Sequence, residues 1–281
     1  MTEFHQPASL DAALAILARV PDAVCLAGGQ TLVAGMNTGL VRPTTLVDLN
    51  RIAALRGITF EAGGAVSIGA MTTHEAVAAE ARFKGAHRMI AEAAGLIAHP
   101  AIRVRGTMGG SICHADPAAD YPAVLRALAA EIEIAHARGR RVVPASRFFT
   151  GFLSTDVKPG EMVTRIRFPP HDGAAAYEKY SRSEGDFATV SVALAVTIEG
   201  GRCRRIGLAV GGCGPAPVQS DEAEGLLLGS ALDDATIARA GGVLAAAADP
   251  TDDVRGSAAY RRLLIPRLVA RAVARIRGVP Q

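Results

Sequence analysis

The sequence predicts an α+β protein in two parts that divide near residue 173. Three observations predict it. Up to that point, short apolar or β-branched runs are interleaved with helical patterns. A Pro/Gly-rich piece, "PPHDGAA" (169–175), then marks a boundary. Beyond it the chain is β-rich first and helical after.

The elements follow in order. Ser9 ahead of "LDAALAILARV" reads as the cap of a helix, with Asp11 in the favourable first turn. "AVCLAGG" is a short apolar strand running into glycines. "TTLVDLN" (44–50) and "AVSIGAM" (65–71) are strands by their β-branched content. The stretch from about 82 to 98 is helical and ends before Pro100. A second helix opens at Pro117, where Pro suits a first turn and Asp116 supplies the cap. "EIEIAHA" alternates as a strand, "RGRR" turns it, and "VVP" pairs back. "EMVTRIRFP" alternates with Met162, Thr164, Ile166 and Phe168 on one side. In the second part, "EGGR" joins two β-rich runs as a hairpin. The final helix places Ile265, Leu268, Val269, Ala272, Val273 and Ile276 on one stripe. Arg267, Arg271 and Arg275 fall on the solvated side.

Composition narrows the function classes. The chain has 281 residues, 49% of them hydrophobic and 20% charged, which suits one large or two modest globular domains. A net charge of +3 gives no argument for nucleic acid. No secretory signal pattern opens the chain, and no uncharged apolar run approaches the roughly 18 residues of a membrane span. A cytoplasmic protein is therefore the expectation. Cys25, Cys113, Cys203 and Cys213 lack the close spacing of zinc or iron–sulfur ligands and read as free thiols.

Two glycine loops carry the candidate chemistry. "AGGQTL" (27–32) follows an apolar strand. Gly28 and Gly29 are both read as able to take positive φ, so that consecutive N–H groups converge on an anion, with the Thr31 hydroxyl as a further donor. "GTMGGS" (106–111) repeats the ingredients, with hydroxyls at Thr107 and Ser111. A plain turn remains the alternative for each. Two such loops about eighty residues apart suit a ligand with two phosphates. Just beyond lie Cys113, His114, Asp116 and Asp120. Read as a strand, Cys113 and His114 point to opposite faces, and the spacing fits no common zinc or two-His-one-carboxylate pattern. Asp120 beside a glycine loop suits the paired hydroxyls of a ribose, or else is an ordinary surface acid.

The motifs "LAGGQTLVAGM", "TTLVDLNRI", "VSIGAMTTH", "IRVRGTMGGSICHADPAADYPAVLRAL", "FFTGFLSTDVKPGEMVTRIRFP" and "YEKYSRSEGDFATVSVALAV" occur in this order. Together they resemble the FAD-binding medium subunit of the molybdenum hydroxylases. That family includes the flavoprotein subunit of carbon monoxide dehydrogenase and the flavin domain of xanthine dehydrogenase. The resemblance spans nearly the whole chain.

It implies a vanillyl-alcohol-oxidase-type (PCMH-type) FAD-binding domain over 1–173, in two α/β lobes of about 1–55 and 56–173. A C-terminal domain over 174–281 would carry a three-stranded antiparallel sheet and helices. Gly28, Gly29, Gln30, Thr31 and Leu32 match the first pyrophosphate loop, and Thr107, Met108, Gly109, Gly110 and Ser111 the second. Asp120 matches the acid at the ribose or ribityl hydroxyls. Ile97 and Val163 match apolar positions against the flavin or adenine. Lys179 matches a lysine near the isoalloxazine, although a Lys in an alternating strand is usually solvated. His114 would lie near the flavin without ligating anything. The chain departs from many relatives at Ala34, where they have Pro, at Asn37, near which they have a basic residue, and at Val104, where they have Asn. Its scattered cysteines argue against the branch that carries an extra iron–sulfur cluster.

The function implied is electron transfer. FAD here would accept electrons from the [2Fe–2S] clusters of a small subunit, fed by a large molybdopterin subunit in a dimer of heterotrimers, and pass them to an external acceptor. No catalytic acid–base residue and no metal ligand is expected in this chain. A self-sufficient FAD oxidase or reductase of the same fold is the first alternative, and a non-enzymatic nucleotide-binding module the second.

Overall fold

The computed structural model describes residues 2–20 and 22–278. The chain is α+β. Its first layer is built from β1 (Glu3–His5), α1 (Leu10–Arg19), β2 (Ala23–Leu26), α2 (Leu32–Asn37) and β3 (Thr45–Asp48). These strands form a parallel sheet in the order β1-β3-β2. The Ser9 hydroxyl caps α1 by accepting from the Ala12 N–H at 3.2 Å. Ala13, Leu14 and Leu17 of α1 then bury against a core that includes Val47. By contrast, α2 buries no side chain.

The second layer centres on an antiparallel sheet. Its elements are β4 (Ile58–Phe60), β5 (Val66–Gly69), α3 (His74–Ala78), α4 (Arg88–Gly95), α5 (Pro100–Arg103), α6 (Met108–His114), α7 (Asp120–Ala127), β6 (Glu131–His136), β7 (Gly139–Pro144), α8 (Ala145–Phe148), β8 (Phe149–Gly151), β9 (Ser154–Thr155) and β10 (Met162–Phe168). The strand order is β4-β5-β10-β6-β7, and β8 pairs with β9 apart from it.

Three local expectations change here. The helix expected over 82–98 is shorter. A single 3₁₀ turn at Gly85–His87 leads into α4, and Pro100 opens α5 as well as following a helix. Residues 108–114 are helical rather than extended, with Thr107 as the cap. The next helix opens at Asp120, not Pro117. Asp116 instead closes a tight turn, its Oδ1 accepting from the Ala118 N–H at 2.8 Å.

The alternation on β10 is also interrupted. Its register against β6 shifts between Val163 and Arg165, which leaves Thr164 as an extra residue. The shift exchanges faces. Val163 joins Ile166 and Phe168 in the core of this layer, while Met162 turns to the core of the first.

The third layer is the antiparallel sheet β11 (Ala174–Tyr180), β12 (Val190–Glu199) and β13 (Arg202–Gly211), in that order. Gly200 and Gly201, at φ +57° and +72°, make the tight hairpin between β12 and β13. Both faces of this sheet are buried. Tyr177, Ala193, Ala195 and Ala209 face the core of the second layer. Ala176, Val192, Leu194, Val196, Leu208 and Val210 face the closing helices α9 (Asp221–Leu227), α10 (Asp234–Ala247) and α11 (Ala258–Ile276). Apart from Tyr177, the first face is made of small residues because α7 lies directly on it. A Cβ at Gly207 would stand 2.0 Å from the Ala127 carbonyl oxygen.

On α11 the expected stripe is buried from Ile265 to Val273, with Ile276 half-buried. The arginine side is not simply solvated. Arg271 is 3.2 Å from Glu178, and Arg275 pairs with Glu92 of α4 and donates to the Tyr177 carbonyl at 3.1 Å. Among the described residues, no helix is long and apolar enough to cross a membrane.

Candidate functional site

The two glycine loops meet. Gly28 follows β2, and a Cβ there would stand 2.2 Å from the Arg105 carbonyl oxygen and 2.8 Å from the Gly106 Cα. Gly28 is therefore required by close approach of main chain, not by its φ. Only Gly29 takes the left-handed conformation expected of both, at φ +78°. Further along, Gly110 faces back to the first loop, where its Cβ would lie 3.6 Å from the Ala27 Cβ.

The donors of the two loops differ. In the second loop most N–H groups are already used. Met108 donates to the Thr72 carbonyl at 3.0 Å, Gly109 to that of Ala70 at 2.8 Å, and Ser111 to that of Thr107 at 3.0 Å. Gly110 donates to the Thr107 hydroxyl at 3.1 Å, the capping bond of α6. Gly109 is a packing glycine besides, since a Cβ there would stand 2.6 Å from that of Ala70. In the first loop the N–H groups of Gly28, Gly29, Gln30, Thr31 and Leu32 find no acceptor among the described residues. The Gln30 side chain folds back onto the Gly28 carbonyl at 3.2 Å. Five consecutive unspent main-chain donors thus lie at the opening of α2, beside the start of α6.

Cys25 on β2 and Cys113 on α6 are near enough to interact electrostatically; burial pushes the Cys25 thiol up to about 12, whereas Cys113 is exposed on α6. Cys25 therefore stays protonated at neutral pH. Beneath the second loop, His74 donates its N–H to the Gly106 carbonyl at 2.9 Å, and its Nδ1 is 3.1 Å from the Tyr121 hydroxyl. Burial, reinforced by Arg103, lowers its pKa to about 4, so it is neutral at pH 7. Nothing in the sequence pointed to this His–Tyr pair, whose members stand 47 residues apart.

Asp120 and Lys179 were read separately, and the structure joins them. Lys179 is not a solvated strand residue. Its Nζ is 3.0 Å from Asp120 Oδ1, with the two side chains 6% and 5% exposed. The same Nζ is 3.2 Å from Oδ2 and donates to the Leu96 carbonyl at 3.0 Å. The Tyr177 hydroxyl donates to Asp120 Oδ1 at 2.8 Å. Burial raises the Asp120 carboxyl above its ordinary range, against the pull of Lys179 and the Tyr177 bond. A carboxylate offers about four lone-pair sites, so these contacts leave roughly one acceptor position on Oδ2. Tyr177 was not singled out from the sequence. The period-2 rule places it on the face of Lys179 and is the signal that finds it.

The remaining candidates are placed as follows. Ile97 is half-buried beside Leu96, and its carbonyl accepts from Arg103 at 3.3 Å. Val163 is fully within the core. His114 ends α6, half-buried. Asp116 and Asp120 each have protein partners, and among the described residues no cluster of His, Cys, Asp and Glu is arranged to hold a metal.

Comparison with known proteins gives the following. Residues 1–171 match the family described as the FAD binding domain in molybdopterin dehydrogenase. Residues 175–276 match the CO dehydrogenase flavoprotein C-terminal domain. The chain is 37% identical to the carbon monoxide dehydrogenase medium chain of Afipia carboxidovorans, covering 98% of this chain and 96% of that one. It is also 37% identical to the 6-hydroxypseudooxynicotine dehydrogenase complex subunit alpha of Paenarthrobacter nicotinovorans, over 90% and 86%. The solved carbon monoxide dehydrogenase of Hydrogenophaga pseudoflava superposes with a TM-score of 0.95 at 36% identity, covering 100% of this chain and 98% of that one.

Proposed function

Because this chain belongs to the FAD-binding medium subunits of the molybdenum hydroxylases, we propose that it takes electrons from the [2Fe–2S] clusters of a partner subunit and passes them to an external acceptor. The observation that carries this reading is the pair of glycine loops in main-chain contact, with five unspent donors in a row on one of them. Such a row of N–H groups suits an anion, and a diphosphate spans more of it than a single phosphate does.

The residues fit FAD. The N–H groups of Gly28, Gly29, Gln30, Thr31 and Leu32 and the Thr31 hydroxyl would hold the diphosphate. On the second loop the main chain from Met108 to Ser111 is committed, so Thr107 to Ser111 would contribute as the N-terminus of α6, through its partial positive charge and the Ser111 hydroxyl. The open acceptor position of Asp120 would take a ribose or ribityl hydroxyl. Ile97, half-buried, would supply an apolar wall, and Val163, packed in the core, would back that wall from within. Lys179 would set a positive charge toward the N1–C2=O edge of the flavin. Bound here, FAD supplies the redox chemistry, and the chain's own groups bind it and set its electrostatics.

The Pro/Gly-rich piece at 169–175 supports dividing the chain into an FAD-binding part (1–173, with lobes of about 1–55 and 56–173) and a C-terminal part (174–281). The relatives' names, a medium chain and a subunit alpha of a complex, support assembly with other subunits; in the reading proposed here these are a large molybdopterin subunit and a small [2Fe–2S] subunit, in a dimer of heterotrimers.

The test is to purify the chain with and without its partners. The complex carries FAD, and its flavin bleaches when the molybdenum substrate is added. The FAD-loaded chain by itself does not bleach with organic substrates. Rapid reduction of the lone chain by such a substrate would replace this reading with that of a self-sufficient oxidase or reductase. A colourless chain that cannot be loaded with FAD would overturn it.

A further inference from the structure

Tyr177 and Lys179 stand two residues apart on β11, so their side chains leave the same face of the strand. Both reach Asp120 at the start of α7. The Tyr177 ring is buried in the core, its hydroxyl 2.8 Å from Oδ1, the same oxygen that lies 3.0 Å from Lys179 Nζ. On its other side, Nζ is held by the Leu96 carbonyl at the end of α4.

A lysine ammonium is a compact charge on a flexible stem, and its direction is set by what holds it. Here the main holder is a carboxylate that can itself turn about its terminal torsion. Tyr177 removes that freedom, because a ring packed on all sides offers its hydroxyl in one place. The donated hydrogen bond also draws charge from Oδ1, so the carboxylate neutralises less of the ammonium.

We infer that Tyr177 is a positioning residue for Lys179: through Asp120 its hydroxyl fixes the direction of the ammonium and the share of its charge presented to the flavin. This rests on the reading above that Lys179 faces the flavin.

Sulfite is the probe. Its lone pair adds to oxidised flavin, and a nearby cation stabilises the anion that results. The measurement is the sulfite dissociation constant of the full chain loaded with FAD, read from loss of the visible flavin absorption. Lys179→Met weakens sulfite binding by about tenfold or more, as expected for loss of a nearby charge. Tyr177→Phe weakens it by about fivefold, the size of one hydrogen bond's net contribution. In the Lys179→Met background Tyr177→Phe changes it by less than about twofold, because coupled residues are not additive.

An unchanged or tighter sulfite complex in Tyr177→Phe overturns the inference. So does an equal loss in both backgrounds, since the effect would then bypass Lys179. If Lys179→Met retains FAD and binds sulfite as before, the placement of Lys179 fails, and the inference with it. Failure of the unaltered chain to take up FAD overturns the proposed function first. Should Tyr177→Phe not fold, Tyr177→3-fluorotyrosine supplies a stronger donor of nearly the same shape. It tightens sulfite binding, and no change or a loss overturns the inference.

Discussion

Gly28 lies on the Arg105 carbonyl with no room for a side chain: a Cβ would stand 2.2 Å from that oxygen. The obstacle is main chain, so no rotamer change relieves it. Gly28→Ala is expected to cost more than about 2 kcal/mol of stability, in line with overpacking, and to lower flavin content. Gly225→Ala, at an exposed, open position of α9, is the control and is expected to be neutral or stabilising by up to about 1 kcal/mol. Thermal denaturation and flavin absorbance read both. Equal behaviour of the two variants would remove the contact between the loops from the site.

Gly110 allows the cradle to be tested with less harm to the fold. Its Cβ would meet the Thr107 hydroxyl, the cap of α6, at 2.9 Å and would face Ala27 across the gap at 3.6 Å. A leucine there fills the space between the loops. Gly110→Leu is expected to yield a folded chain that retains no FAD, checked by circular dichroism beside flavin fluorescence. Flavin content equal to that of the unaltered chain would show that the cradle lies elsewhere.

Acid stability should report on His171. The residue is buried within the boundary piece, and neither ring nitrogen has a partner among the described residues. Burial, then Arg205 and His87, lowers its pKa to about 4. An unfolded histidine titrates near 6.5, so between about 4 and 6.5 the unfolded chain binds more protons. The contribution of His171 is therefore complete above about pH 6.5 and is lost as pH falls toward 4. A shift of this size is on the order of 3 kcal/mol. His171→Leu should match or exceed the unaltered chain at pH 7 and lose less stability between pH 7 and 4.5 in urea titrations. An acid limb identical to that of the unaltered chain would assign the sensitivity to other groups, His74 among them.

Arg275 links α11 to two other elements, through Glu92 of α4 and through Glu178 and the Tyr177 carbonyl of β11. Its side chain is 42% exposed, so water and salt weaken the pair. A double-mutant cycle of Arg275→Ala with Glu92→Gln is expected to give a coupling of about 1 kcal/mol that shrinks as salt is raised. A coupling that salt leaves unchanged would mean that packing of the arginine stem, not charge, joins these elements.

The strands were legible because alternation and β-branching act locally, as at β6 and in the β12–β13 hairpin. The α6 helix is not legible because "MGGSICH" places two poor helix formers, Gly109 and Gly110, directly after its first residue, and what fixes it is tertiary. Gly109 packs on Ala70, and the Met108 and Gly109 N–H groups are taken by residues 70 and 72. The start of α7 was misplaced because Pro117 and Asp116 serve a turn as well as they serve a helix. At the site, the glycine loops were visible as letters. Their contact, 77 residues apart in sequence, was not, nor was the pairing of Asp120 with Lys179 across 59. The bulge at Thr164, which exchanged the faces of Met162 and Val163, is likewise set by β6 and not by the strand's own pattern.

The sheet β11-β12-β13 has one face in the core of the second layer and the other among the closing helices. Neither neighbour can detach without exposing an apolar surface, so the second and third layers are expected to unfold together. Two family models divide the chain between residues 171 and 175, yet in a calorimeter it should absorb heat in one peak, with van't Hoff and measured enthalpies in agreement.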